Sequence, residues 1–553
     1  MMGTHGRNLG SVIALLALSF QLQICPAAIG QGAPGTPAAP SAPSDPSAPS
    51  NTPSIVNASN GSTTYSGTHV IDFGLQPGGL LNLTGDLTNL GIIYAISTNP
   101  TITSAIFSAP NISNQSGAII TSVLPTGGLA GYSNAISGLN LTFNTSNNFF
   151  NAGLISSAGS LAINAGGTIT NALPTGIAGP MPVMQAIGNI DIASQIGSII
   201  NAGTIASAAA NINISAAASN ALLVNNTGGI LQALNGTINV RDSLFGGNLA
   251  TTLTGGDVLS KTLDIFGGTG MVNAHTNSIS GILNVIADGA QIGVKHGDLN
   301  FGTLKLDGDP TFYSADGSIN ILNFNVATTG ADIAIIAAGD ITGGDWVIDT
   351  QNTNPLINNG NAGSVLMVAG ASFISPTTGT ELPEPTGTLP VIFTSPNPLV
   401  DTGGSITMNT LSINSTGKNT GNNAGSVTLI AYQGTAADSG VIAPVTSSSI
   451  DASTPTGFNG IPGNVLLIAG GGAIGTNAIN FGNINSSGGT IEIFAAAPQI
   501  TGNSNSITVV DGTIQLGSGT FTPAPLNAAD VVVGNLTSNG ISTGALPFGA
   551  GTA

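Results

Sequence analysis

Asn361-Ala-Gly-Ser-Val-Leu-Met-Val-Ala-Gly370 and Asn423-Ala-Gly-Ser-Val-Thr-Leu-Ile-Ala-Tyr432 are one phrase written twice. Each opens on a small-residue turn and runs into five or six residues where Val, Leu, Ile or Met recur. Looser copies stand at Ala331-Asp-Ile-Ala-Ile-Ile-Ala-Ala-Gly339, Gly463-Asn-Val-Leu-Leu-Ile-Ala-Gly470 and Gly489-Thr-Ile-Glu-Ile-Phe-Ala495. Asn151-Ala-Gly-Leu-Ile155 and Asn201-Ala-Gly-Thr-Ile205 echo it earlier in the chain. The unit is a short strand and a Gly/Asn turn. The two full copies lie 423 − 361 = 62 residues apart, and the next copies open after 463 − 425 = 38 and 489 − 463 = 26. For coils of roughly twenty residues, the range of parallel solenoid repeats, these spacings read as three, two and one turns plus loops.

Outward from these copies the pattern stays strand and turn. Period-two alternation recurs at Leu161-Ala-Ile163, Asn211-Ile-Asn-Ile-Ser215, Leu304-Lys-Leu306, Ile319-Asn-Ile321, Phe324-Asn-Val326 and Ile406-Thr-Met408. Asn-Gly, Asp-Gly and Gly-Gly turn signals separate such runs. No sustained helical series of apolar residues with cappable ends occurs. A sandwich needs hairpins and, over this length, inter-domain linkers that the chain lacks. A propeller repeats with aromatic signatures, whereas Trp346 is the single tryptophan. The fold expected is therefore all-β: a parallel β-helix solenoid with Gly/Asn turns and coils of roughly twenty residues. It is right-handed by the usual rule for parallel crossovers. Some two dozen rungs are expected, with a front cap over Thr68–Leu87.

Composition agrees. Charged residues make up 5% of the 553, against about 25% in ordinary soluble domains. The wetted surface must come from Ser, Thr, Asn and Gly. Disorder would explain much Gly, but 41% of the chain is hydrophobic and β-branched residues abound. Net charge is −18, with 6 Lys+Arg against 24 Asp+Glu, which argues against nucleic acid and anionic lipid as partners. Cys25 is the only cysteine, so no disulfide framework and no cysteine metal site are open.

The ends and interruptions suggest an organisation. Residues 1–30 read as a signal peptide: a weakly basic start (His5, Arg7), an apolar run from Val12 to Phe20 too short to span a bilayer, then Ala28-Ile-Gly30. No integral membrane span is expected in the mature chain. Residues 31–53 form a Pro/Ala/Ser-rich linker in which Pro34, Pro37, Pro40, Pro43, Pro46 and Pro49 fall every third position, the period of polyproline II. Residues 54–520 are the β-helix body, interrupted at 375–402 by a Pro-rich loop that holds Glu381 and Glu384. Residues 521–553 are a C-terminal cap or a loose tail. The expected location is extracellular or at the cell surface.

The Asn-Ala-Gly corners and the Gly-x-hydrophobic-x-hydrophobic ladders resemble filamentous haemagglutinin-like exoproteins and related bacterial adhesins, over roughly residues 60–520. That resemblance implies a right-handed β-helix displayed outside a bacterial cell. The family's Asn-Pro-Asn-Gly-type secretion motif is absent, as are an autotransporter barrel and a Leu-Pro-x-Thr-Gly sorting signal.

Candidate chemistry concentrates between Asp242 and Asp349, with Asp257, Asp264, Asp288, Asp298, Asp307, Asp309, Asp316, Asp332, Asp340 and Asp345 between them. Asp307-Gly308-Asp309 offers hard oxygen ligands for Ca²⁺, but Asp at turns for its backbone-bonding side chain is the commoner use. Phe266-Gly-Gly-Thr-Gly-Met271 lacks the Asp of a Ca²⁺-binding β-roll repeat. Paired carboxylates on neighbouring coils are the requirement of a glycoside hydrolase. A lyase adds a base, and Arg241, Lys261, Lys295, Lys305 and Lys418 are the only Lys or Arg after residue 30. His69, His275 and His296 have no metal-binding spacing, although 21 residues separate the last two, about one rung. No residue is assigned a catalytic, cofactor-binding or metal-binding role, and no cofactor is expected. The leading expectation is a secreted or surface-displayed structural or adhesin-like solenoid whose partners are surface glycans or proteins of a host or biofilm. A polysaccharide-active β-helix and an end-to-end fibre former are the alternatives.

Overall fold

The computed structural model describes residues 61–371 and 402–495, apart from 218–219, 242–249, 309, 353, 355, 357, 419–420, 436–438, 455–458, 471–478, 482 and 487–488. It also describes strands at Ile500–Gly502, Ser506–Val509, Thr513–Ser518, Val531–Val532 and Asn535–Ser538. The expected signal peptide and linker fall outside these residues, as does the Pro-rich loop apart from Thr402.

The chain winds as a parallel β-helix. Every strand pairing among the described residues is parallel, and the strands fall into one sheet of 17 and one of 26. A coil begins with a short strand on the first face, such as Phe149–Asn151. It continues through a second-face strand, Leu154–Ser157, and a third-face strand, Leu161–Ala165. The next coil lays Ile169–Asn171 directly on Phe149–Asn151. Seventeen stacked first-face strands at about 4.8 Å each give a rod on the order of 80 Å long.

Coil length varies more than the sequence suggested. Successive coils advance by 169 − 149 = 20 residues at one place and by 290 − 272 = 18 at another. The two Asn-Ala-Gly-Ser-Val copies are consecutive rungs, because Val365 pairs with Val427 and Val427 with Val465. Their spacings of 62 and 38 residues are therefore single coils carrying long insertions, not three turns and two. Insertions of this kind are one reason that, among the described residues, seventeen first-face strands stand where some two dozen rungs were expected. The stretch expected as a front cap is the first coil itself. Thr68–Asp72 and Leu80–Asn82 are ladder strands, joined through 3₁₀ turns at Phe73–Leu75 and Pro77–Gly79. Within 521–553, Val531–Val532 and Asn535–Ser538 continue the second sheet.

The cross-section changes along the rod. Up to Ile212–Ala216 each coil has three strands; from Ile230–Arg241 to Ile442–Asp451 the second and third faces fuse into one long bent strand per coil. Register shifts between Ala233 and Thr237, and between Leu259 and Thr262, mark the bend. Alternation follows the pleat. In Leu161–Ala165, Leu161, Ile163 and Ala165 point into the core and Asn164 points to solvent. The core is one continuous column of Ile, Val, Leu and Ala. Aromatic rings stack within it from coil to coil: Phe73, Phe107, Phe143 and Phe149 in front, and Phe301, Phe312, Phe324 and Trp346 behind, with successive centroids 4.6–6.3 Å apart. The Trp346 indole donates to the carbonyl of Ile321 at 2.9 Å. No helix among the described residues is long and apolar enough to cross a membrane.

Candidate functional site

The corners explain why Asn and Asp recur. A parallel coil must turn two or three times, and each turn leaves backbone N–H and C=O groups that water cannot reach. On the first corner of the front coils, Asn89, Asn114, Asn151, Asn171, Asn201 and Asn226 stack in register and are fully buried. Each amide donates to the side-chain oxygen of the next, at 2.8, 2.8, 2.7, 2.7 and 2.6 Å. Each also donates to a carbonyl at the start of the next second-face strand, as Asn89 does to Ile119 at 3.0 Å and Asn151 to Val183 at 3.2 Å. Tyr65 occupies the front end of this ladder, in register with Asn89; burial pushes its hydroxyl up to about 12.

The Asn361 and Asn423 copies do something else. There the Asn precedes the first-face strand, and its side chain accepts a backbone N–H one rung on: Asn423 N–H to Asn361 at 2.9 Å, Ile461 N–H to Asn423 at 2.8 Å. The serine of the phrase repeats the device, Ser426 N–H bonding Ser364 Oγ at 3.1 Å. Gly425 is required for contact, since a β-carbon there would lie 1.8 Å from the carbonyl oxygen of Gly363. The same three letters thus serve opposite ends of the strand in the two halves of the rod.

The acidic stretch is built on this logic. Asp298 accepts the N–H of Ser318 at 2.7 Å, Asp340 that of Ser405 at 2.7 Å, and the buried Asp332 that of Ser364. Asp257 accepts from Ser278 Oγ at 2.7 Å, Asp264 from Asn284 at 2.7 Å, Asp345 from Thr410 at 3.0 Å and Asp349 from Gln351 N–H at 3.0 Å. Asp288 and Asp307 are exposed, while Asp242 and Asp309 lie outside the described residues. These carboxylates are spread along the rod: Asp257 and Asp264 share one strand, Asp345 and Asp349 another, and Asp298 and Asp340 occupy one corner two coils apart. The four lysines are exposed, and the Arg241 guanidinium lies over the Phe266 ring, 4.8 Å from its centroid. On the surface His296 Nδ1 lies 2.8 Å from the Asp316 carboxylate, and among the described residues no Lys or Arg side chain pairs with a carboxylate. No three His, Cys, Asp or Glu side chains among them gather closely enough to hold a metal ion.

The histidines do not meet. His275 pairs in register with Gly293, not His296, and its Nδ1 lies 2.6 Å from the hydroxyl of Tyr313 two rungs on. Gly293 makes this possible, because a β-carbon there would sit 1.8 Å from the Tyr313 ring. Burial pushes the His275 imidazole below its ordinary value. His69 is bound to the carbonyl of Ser66 at 2.7 Å.

Among the described residues, two larger grooves run along the coils. The first, about 660 Å³, follows the start of the second face and is mostly apolar, with Ile119, Leu154, Val183 and Ile230 in one column. Asp257, in register with Ile230, is the one carboxylate in its lining. The second, about 680 Å³, follows the third face over the front coils and is lined by Ser, Thr, Asn, Gln, Ala and Gly without a charged side chain. Sequence reading could not find either, because both depend on register between coils of unequal length.

Compared with protein-family models, with curated proteins and with solved structures, the chain has no match.

Proposed function

We propose that this chain is a structural, adhesin-like β-solenoid, exported and displayed at a cell surface in the manner of filamentous haemagglutinin-like exoproteins. The observation that carries the reading is the use made of the polar side chains. Asp257, Asp264, Asp298, Asp332, Asp340 and Asp345 each bond a hydroxyl, amide or backbone N–H group on a neighbouring rung, and none of them meets Arg241 or a lysine. A rod held by repeating corners, with low charge and a wet amide-and-hydroxyl surface, suits display and contact over a long face. The apolar export-like run at Val12–Phe20 and the Pro-spaced segment behind it support a route outward.

A tagged copy on intact cells tests this. Externally added protease should remove the tag signal while a cytoplasmic marker survives, and deleting the gene should lower attachment or biofilm mass. A tag protected until the cells are broken overturns display. Unchanged attachment with the tag exposed overturns adhesion alone.

A further inference from the structure

We infer that the uncharged groove on the third face of the front coils is a binding site for an extended neutral polysaccharide. Its floor is one outward column, one residue per coil: Ser108, Asn144, Asn164, Ala193 and Ser215, each in register with the next. The column continues to Arg241 and then to Phe266, on which the guanidinium is stacked. Asn164 donates to the side-chain oxygen of Asn144 at 3.0 Å. Among the described residues that leaves the Asn144 amide nitrogen and the Asn164 amide oxygen without a protein partner, together with the hydroxyls of Ser146 and Ser215. The groove thus presents a donor on Asn144, an acceptor one coil on at Asn164, and, beyond the small Ala193, the hydroxyl of Ser215, with coils spaced by about 4.8 Å, a step comparable to one sugar ring in an extended chain.

Charge selects the occupant. A chain of net charge −18 repels an acidic polymer, and a cationic one finds no carboxylate in this lining. A neutral polyhydroxylated chain is matched by amides and hydroxyls alone, since each of its hydroxyls gives and takes one bond. The groove is long and open along the rod, as a polymer requires, and the small side chains of Ala193 and Gly166 leave room for ring faces. Of the proposed function, only the place where the glycan is met rests on display; the binding itself does not.

The test uses the purified full chain with cellohexaose and maltohexaose as neutral probes and an oligogalacturonate as the acidic one, read by calorimetric titration. At least one neutral probe should bind. Asn144→Ala with Asn164→Ala should weaken it tenfold or more, and Ser215→Trp should block it. Asn213→Ala, in the neighbouring exposed column, should leave affinity within twofold. Far-UV circular dichroism keeps the comparison to folded variants. Binding unaffected by the groove variants, binding of the acidic probe alone, or no binding of any probe by the folded chain each overturns the proposal. A chain exposed on cells that binds no probe leaves the display reading standing, and a glycan-binding chain found inside cells does the reverse.

Discussion

Two corners of the rod, one in the front half and one in the rear, are closed with different chemistry. In front, six buried amides run without a break from Asn89 to Asn226 on the corner between first and second faces. Behind, the corner that returns to the first face carries hydroxyls: Thr328, Thr350, Ser415 and Ser486, all buried, with Ala452 interrupting them. An amide has two N–H donors and an acceptor, so it can join the next amide and still satisfy a carbonyl. A hydroxyl has one hydrogen to give. Thr350 gives its hydrogen either to the carbonyl of Gly363 at 2.6 Å or to Ser415 Oγ at 2.8 Å. Thr328 bonds the carbonyl of Ala331 within its own coil, and Ser486 bonds that of Gly463 one coil back. The amide ladder couples every rung in a continuous run; the hydroxyl column, interrupted at Ala452, couples rungs only in places.

The largest effect that could break this contrast is expected at Asn151. Replacing it with Ala removes the bonds from Asn114 and to Asn171 and leaves buried partners unsatisfied on both sides, at a cost of about 4 kcal/mol. The urea midpoint should fall accordingly, and amide exchange should speed up in the coils of Asn114 and Asn171 as well as in the mutated one. Loss confined to a single coil would show that the ladder does not couple rungs. Thr350→Val keeps the volume and removes one hydroxyl, so about 1–2 kcal/mol is expected, with faster exchange near Gly363 and Ser415 only. If the two substitutions cost the same, the chemical distinction between the halves has no energetic meaning.

Much of this fold is legible in the sequence, and the illegible part has a definite cause. The strand-and-turn phrase at Asn361 and Asn423 names the parallel coil, because only stacked identical corners need the same Asn, Gly and Ser each time. The coil count is not legible: a 62-residue gap filled by one long insertion has the same spacing as three short turns. The amide ladder leaves a trace that spacing alone obscures, an apolar residue two positions before each Asn, as in Leu87-Thr-Asn89, Phe149-Phe-Asn151 and Ile169-Thr-Asn171. Its register cannot be read because the coils between those residues differ in length. The acidic stretch is a cluster in sequence but not in space, since its members are spread along several coils between strand positions and corners, and even Asp298 and Asp340, on one corner, stand two coils apart. The grooves were invisible for the same reason.

The finest contrast concerns titration. The ladder amides carry no proton that leaves or arrives near neutral pH, whereas two coils behind the ladder's end at Asn226 the buried His275, in register with Thr254, contacts Tyr313. Its imidazole is held below the ordinary value by burial, so the folded chain refuses a proton that the unfolded chain accepts near pH 6.5. Above that value neither state is protonated, and His275 adds no pH dependence. As pH falls through it the unfolded state binds the proton first, so stability declines, and the decline ends only below the folded value. His275→Phe keeps an apolar ring against the Tyr313 side and should abolish this part of the slope. Urea midpoints of both proteins between pH 7.5 and 5.5 measure the difference. Parallel slopes would mean that His275 is as accessible to water folded as unfolded, and that the rear half, like the amide ladder, is indifferent to pH in this range.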